Sequence, residues 1–178
     1  MKNLCIVSYG ASMKQEITHI IPISFTDFWE TCFFSSAYTK AEHLDGLSCS
    51  EFSFIEEYMG EPQYKRVLFS VPPLNIPSSI QKFVGNRIGY TEHGTFDPIK
   101  KQYHFSLIPT VLPKKISITG YYTAHRVDEN NTKRTCFLET SVSIFGVGKK
   151  IEGIIAQSNV DVQKNTAAFA ARWIAQSR

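Results

Sequence analysis

Apolar residues along this chain change their spacing several times, and each change marks an element. The stretch QEITHIIPIS (15–24) is β-prone, with Ile17, Ile20, Ile21 and Ile23 around Thr18. From Ser24 the spacing turns helical: Phe25, Phe28, Trp29, Cys32 and Phe33 fall three to four residues apart. Ser24 or Thr26 suits the cap of that helix, with Asp27 or Glu30 in its first turn. A second short helix is expected from Ser36 to Leu44, stopped by Asp45–Gly46. Beyond Leu47 the runs are strand-like: SCSEFSFIEEYM, QYKRVLFSV, NRIGYTEHGTF, KQYHFSLIP, KISITGYYTAHRV and TKRTCFLETSVSIF. In the second, Val67, Phe69 and Val71 share one face; in the last, Cys136, Leu138, Thr140, Val142 and Ile144 do. The separators GEP, DPIK, TVLPK and DENN carry turn residues. One insertion, PPLNIPSSIQKFVG (72–85), reads as a short helix with Pro77 at its first position and Gly85 at its C-terminal cap.

The chain closes on GVGKKIEGIIAQSNVDVQKNTAAFAARWIAQSR (146–178), where Val147, Ile151, Ile154 or Ile155, Ser158, Val162, Thr166, Phe169 and Trp173 recur at helical spacing. It has no proline and predicts one long amphipathic helix of about eight turns. Such a helix needs a large concave surface to bury its stripe. Consecutive strands joined by short turns imply an antiparallel sheet. The expected fold class is therefore α+β: a curved antiparallel sheet of about seven strands around a long C-terminal helix, with two short helices after the first strand. Residues 1–178 are expected to form a single domain, with 1–14 as an N-terminal extension.

Composition narrows the class without naming a function. The 43% hydrophobic and 20% charged fractions are those of a soluble globular domain. Aromatics, at 13%, suit a wide core or a pocket. A net charge of +3, with scattered basic residues, gives no reason to expect nucleic acid. Cys5, Cys32, Cys49 and Cys136 show no metal-ligand spacing and read as reduced thiols. No apolar run reaches the ~20 residues of a membrane span, and the apolar run near the N-terminus is too short for a signal peptide. A cytoplasmic location follows as the expectation.

The element order resembles the START-like, or helix-grip, superfamily, which includes START lipid-transfer domains, birch-pollen allergen proteins and polyketide cyclases. ISFTDFWETCFFSSAYTKAEHLDGL is similar to that superfamily's entry into its two short helices. The proline-flanked insertion, the element Gly146, Gly148, Lys149, Glu152 and the triplet Ala171, Arg172, Trp173 resemble a bacterial family of uncharacterised START-like proteins. The likeness runs over about residues 15–178. It implies a cavity between sheet and helix for a hydrophobic small molecule or lipid. Its wall would be Phe69, Tyr90, Glu92, Phe105, Tyr122, Leu138, Ile151, Ile155, Val162 and Phe169, with Ile76, Ile80 and Phe83 as a gate. Binding and transfer of a lipid-like ligand is the reading this favours over an enzyme, with no cofactor expected. The apolar side of 74–85, beside Lys82 and Arg87, would suit peripheral contact with a membrane surface.

Specific catalytic signatures are missing. GVGKK is not a phosphate loop, because Lys150 stands where GxxxxGK[ST] needs Ser or Thr, and Ser143 where it needs glycine. The dinucleotide pattern fails at Ile151. These glycines read instead as a sharp turn out of the last strand. There is no HExxH and no G-x-S-x-G, so no metal ligand or nucleophile is assigned. His93 and His104, near Glu92 on neighbouring strands, would serve a ligand's polar head if they face inward. A polyketide-cyclase-like enzyme, the alternative implied by the resemblance, would draw acid–base groups from Glu92, Glu139, Tyr122 and Arg66. A chaperone-activator-like interaction module would instead require a filled core and an exposed apolar patch.

Overall fold

In the computed structural model, which describes residues 4–9, 12–60, 63–73, 77–85 and 87–177, eight strands form one antiparallel sheet. They are β1 (Leu4–Tyr9), β2 (Ser12–Ile21), β3 (Glu51–Gly60), β4 (Gln63–Val71), β5 (Tyr90–Asp97), β6 (Gln102–Pro109), β7 (Ile116–Arg126) and β8 (Thr132–Val142). The order across the sheet is β1-β2-β8-β7-β6-β5-β4-β3. The seven strands expected from the pattern are all present. The eighth is β1, within the first 14 residues, and it pairs with β2 from Leu4↔Ile17 to Tyr9↔Ser12.

Two short helical segments follow β2. The first is a wide, π-type turn, Asp27–Phe33, whose entry is capped where the Asp27 N–H donates to Ser24 Oγ at 3.0 Å. The second, α1 (Ser36–Ala41), is capped by Ser35 Oγ, which accepts from the Tyr38 N–H, and continues into another π-type turn, Glu42–Gly46. The insertion forms α2 (Ser78–Val84); Pro77 takes the N-cap rather than the first helical position, and Gly85 ends the helix at φ 76°. The last 30-residue helix, α3 (Gly148–Ser177), packs on β2 and β8. No helix among the described residues is long and apolar enough to cross a membrane.

The turn into α3 explains the glycine–lysine–glutamate element. Gly146 has φ 79°, the left-handed region that glycine enters without strain. A Cβ on Gly148 would stand 2.5 Å from the Val142 carbonyl oxygen, so only glycine allows the helix to start this close to β8. Glu152 is 1% exposed. Its Oε1 accepts from the Val142 N–H at 3.0 Å and its Oε2 from Lys149 Nζ at 2.8 Å. A buried carboxylate thus ties the end of the last strand to the first turn of the helix.

Along α3 the contact with the sheet changes character. Near its start, Ile151 packs with Ile80 and Val84 of α2, Ile116 and Val142, with Ile155 partly buried beside them. Near its end, Phe169, Ala170 and Ile174 join Phe28, Trp29 and Tyr38. Between these apolar ends the interface is polar. Gln15 Nε2 donates to the Ala156 carbonyl, Asn159 donates to Gln15 Oε1, and Gln163 and Thr166 are buried. The amphipathic stripe read from sequence, which already contained Ser158 and Thr166, is therefore polar at its middle.

Glu152→Ala is expected to lower unfolding free energy by about 1–3 kcal/mol, because the buried Val142 N–H loses its acceptor. Glu152→Gln keeps an acceptor and is expected to cost less. Denaturant titration of both variants checks the order, and equal losses would show that the strand-end hydrogen bond is not what Glu152 contributes.

Candidate functional site

Strand alternation decides which side chains face the helix. On β4 these are Arg66, Leu68 and Ser70, paired across to Gly94, Glu92 and Tyr90 of β5. On β6 and β7 they include Tyr103, Phe105 and Tyr122, and on β8 Arg134, Cys136 and Leu138. Under the polar middle of α3 these strands and the helical turns 27–46 enclose a pocket of about 80 Å³. Phe28, Phe33 and Val162 supply apolar walls, while Arg66, Tyr90, Glu92, Tyr122, Arg134 and His43 bring polar groups to it.

The polar groups form a connected set. Tyr103 donates to Glu92 Oε1 at 2.6 Å, and Arg66 Nη2 lies 3.6 Å from the same oxygen. Arg66 Nη1 donates to Thr39 Oγ1 at 3.0 Å, and its guanidinium lies 5.4 Å from the Phe33 ring centroid and 5.1 Å from that of Tyr103. Burial works against the charge of Arg66, but Tyr103 and Glu92 outweigh it and raise the pKa, so the group stays cationic. The arrangement depends on a missing side chain: a Cβ on Gly94 would stand 1.7 Å from the Tyr103 hydroxyl. Tyr38 donates to Glu42 at 2.7 Å. His43 Nδ1 lies 2.8 Å from the Thr39 carbonyl, an acceptor only, which puts the proton on Nδ1. On the far side, Arg134 Nη2 donates to the Gln163 carbonyl at 2.7 Å and to Thr166 Oγ1 at 2.9 Å, and Gln163 Nε2 donates to the Tyr122 hydroxyl at 2.8 Å.

The residues named from sequence fall into four groups. Tyr90, Glu92, Tyr122 and Val162 meet at the pocket. Phe105 and Leu138 pack beneath it with Ile17, Tyr103 and Cys136. Ile151, Ile155 and Ile80 belong to the apolar seal at one end, and Phe169 to the aromatic cluster at the other. Phe69 lies on the opposite face of β4 with Val67 and Val71, its ring against Gly89. Ile76 and the Phe83 side chain lie outside the described residues. His93 and His104 are exposed on the outer face, where an open groove of about 640 Å³ also involves Tyr121 and Phe137. There, the His104, Tyr121 and Phe137 rings follow one another at 5.4 and 4.6 Å. That groove is larger, but its charged and imidazole side chains keep their water; the converging buried groups are inside. Glu139 also faces outward and accepts from Ser12 at 2.6 Å.

The chemistry available inside is proton donation and charge pairing. Burial pushes the thiols of Cys32 and Cys136 up to about 12, so neither is a thiolate at neutral pH. Among the described residues no cluster of three or more His, Cys, Asp or Glu side chains could hold a metal ion. Sequence reasoning did not single out Arg134, Thr39, His43, Gln163 or Thr166 as site residues. Arg134 carries a retrospective signal, because it is the one charged residue on the inward parity of Cys136, Leu138 and Val142 in β8.

A family model described as "Protein of unknown function (DUF2505)" matches residues 16–174. The chain belongs to that family. The matched span starts on β2 and ends within α3, so it covers the strands from β2 onward, the pocket-lining residues and most of the helix. No curated protein sequence matches significantly. Among solved structures, the chain is similar to the Zhui aromatase/cyclase from Streptomyces sp. R1128, with 13% identity, TM-score 0.65 and coverage of 92% of this chain and 96% of that one. A START superfamily protein from Mycobacterium smegmatis matches at 11% identity and TM-score 0.60, over 93% and 99% of the two chains. Norcoclaurine synthase from Thalictrum flavum, solved in complex with dopamine and hydroxybenzaldehyde, matches at 13% and 0.62, over 100% and 99%. At these identities the likeness establishes the fold: START-like, or helix-grip.

Burial raises the phenols of Tyr38, Tyr90, Tyr103 and Tyr122 above their ordinary range. An acid whose folded-state pKa is raised stabilises the fold below its unfolded pKa, and that stability is lost as pH climbs past about 10. In an alkaline titration these four are expected to ionise only together with loss of the circular dichroism signal. Complete phenolate absorbance in a still-folded chain would contradict their burial.

Proposed function

We propose that this chain is a small-molecule-binding protein that takes a compact, partly apolar ligand into the interior between the curved sheet and α3. One observation carries this reading: aromatic and aliphatic walls and several buried hydrogen-bonding groups converge on the same space under the helix. The enclosed volume of about 80 Å³ supports a compact ligand over a long acyl chain, since sites for drug-sized ligands run to roughly 300–1,000 Å³. A lipid would need the helix or the turns at 27–46 to move outward. The fold's occurrence in a structure holding dopamine and hydroxybenzaldehyde supports the same size class. The buried, unpaired Cys32, Cys49 and Cys136 agree with a cytoplasmic location.

A second reading, acid–base catalysis in the same cavity, draws on Tyr103 donating to Glu92 beside Arg66. That trio joins a proton donor, a carboxylate and a cation within one buried cluster, as general acid–base work requires. The cyclase among the similar structures agrees with it.

Native mass spectrometry of the purified chain, followed by a thermal-shift panel of compact phenols and carboxylic acids, tests the binding reading. The expected result is a bound small molecule or a rise in melting temperature with at least one class. Val162→Phe, which fills the pocket from the helix side, is expected to weaken binding at least tenfold while the chain stays folded. Unchanged affinity in that variant would move the ligand out of this pocket.

A further inference from the structure

Two guanidinium groups border the pocket, and they are not in equivalent states. Arg66 and Arg134 are 7% and 6% exposed. Arg66 has the Glu92 carboxylate at 3.6 Å, and the field of Glu42 also bears on it. Arg134 has no carboxylate within 4.0 Å among the described residues. Its hydrogen bonds go to the neutral oxygens of Gln163 and Thr166, and the Tyr122 ring centroid lies 5.7 Å from its charge. A buried cation with only neutral partners carries most of its desolvation cost uncompensated. A guanidinium is also built to grip a carboxylate with two parallel hydrogen bonds.

Tyr122 stands beside it with a proton to give. Its oxygen accepts from Gln163 Nε2, and its own O–H faces the buried Cys136 thiol, a weak acceptor that a carboxylate would displace. Burial keeps that phenol protonated at neutral pH. Cation and hydroxyl donor are held on two neighbouring strands, β8 and β7.

The geometry points to an anionic ligand, a carboxylate on a compact apolar body, whose charge is taken by Arg134 with Tyr122 as co-donor. This rests on the interior being a ligand site. Arg66, whose charge is already met by Glu92 although its buried Nε has no hydrogen-bond partner among the described residues, would then line the apolar body rather than hold the charge. The absence of a lysine and the fork geometry favour a planar carboxylate over a spherical point anion.

Isothermal titration of the full chain with matched pairs tests this: 3-phenylpropanoate against 3-phenylpropanamide, and octanoate against octanamide. The wild type is expected to bind at least one acid tenfold or more tighter than its amide. In Arg134→Gln that preference should vanish with amide affinity kept, and Arg134→Lys should restore part of it. Equal affinity for acid and amide in the wild type overturns the anion assignment and leaves the ligand site standing, without relying on any variant's folding. An acid preference that survives in folded Arg134→Gln overturns the role of Arg134. Binding of neither member of either pair overturns the anion assignment, and the thermal-shift panel with phenols then decides the ligand site separately.

Discussion

The angle at which α3 leaves the sheet is the constraint on which the rest of this molecule depends. It is set within eleven residues. Val142 ends β8, its carbonyl leaves no room for a side chain on residue 148, and its N–H is held by the Glu152 carboxylate. Once the first turn of α3 is fixed to the strand end, a rigid rod follows across β2 and β8. Each later helix position then meets a determined part of the sheet. A change of a few degrees here would carry Gln163 and Thr166 away from Arg134, more than 15 Å further along the helix at ~1.5 Å per residue.

That fixed crossing divides the interior into three zones with different physics. At the two ends the helix buries aliphatic and aromatic surface, which is non-directional and tolerant of shape. In the middle the contacts are directional: the glutamines, the threonine and the arginines are held by hydrogen bonds whose geometry admits little slack. A buried polar layer of this kind costs desolvation and returns specificity of arrangement when its members are satisfied. The pocket sits where apolar packing stops and polar pairing is incomplete, so the same local underfilling that weakens the core creates the site.

The site's two halves are built on different principles. The Arg66–Tyr103–Glu92 cluster is internally neutralised and depends on the missing Cβ of Gly94 to admit the Tyr103 hydroxyl. The Arg134–Gln163–Tyr122 cluster is joined to the helix backbone and lacks an acidic member. One half carries its own countercharge and the other does not, although both arginines are about equally buried.

Much of the fold was legible in the sequence, and the reasons are local. Period-two runs, turn residues at GEP, DPIK and DENN, the Ser24 cap and the unbroken tail each report a short-range preference, and every strand and helix they predicted is present. The site was legible only in part. Tyr90, Glu92, Tyr122 and Val162 were named and do converge, while Phe69 went to the outer face and His93 and His104 stayed in solvent. Parity along a strand says which residues share a face, but not which face turns inward. The sequence by itself determined the elements and their order, because propensity and periodicity act over a few residues. Only the tertiary structure decided that Arg134, separated from Arg66 by three strands and a helix in chain order, would lie across one pocket from it. That outcome depends on sheet curvature and on the crossing of α3, which no stretch of a few residues encodes.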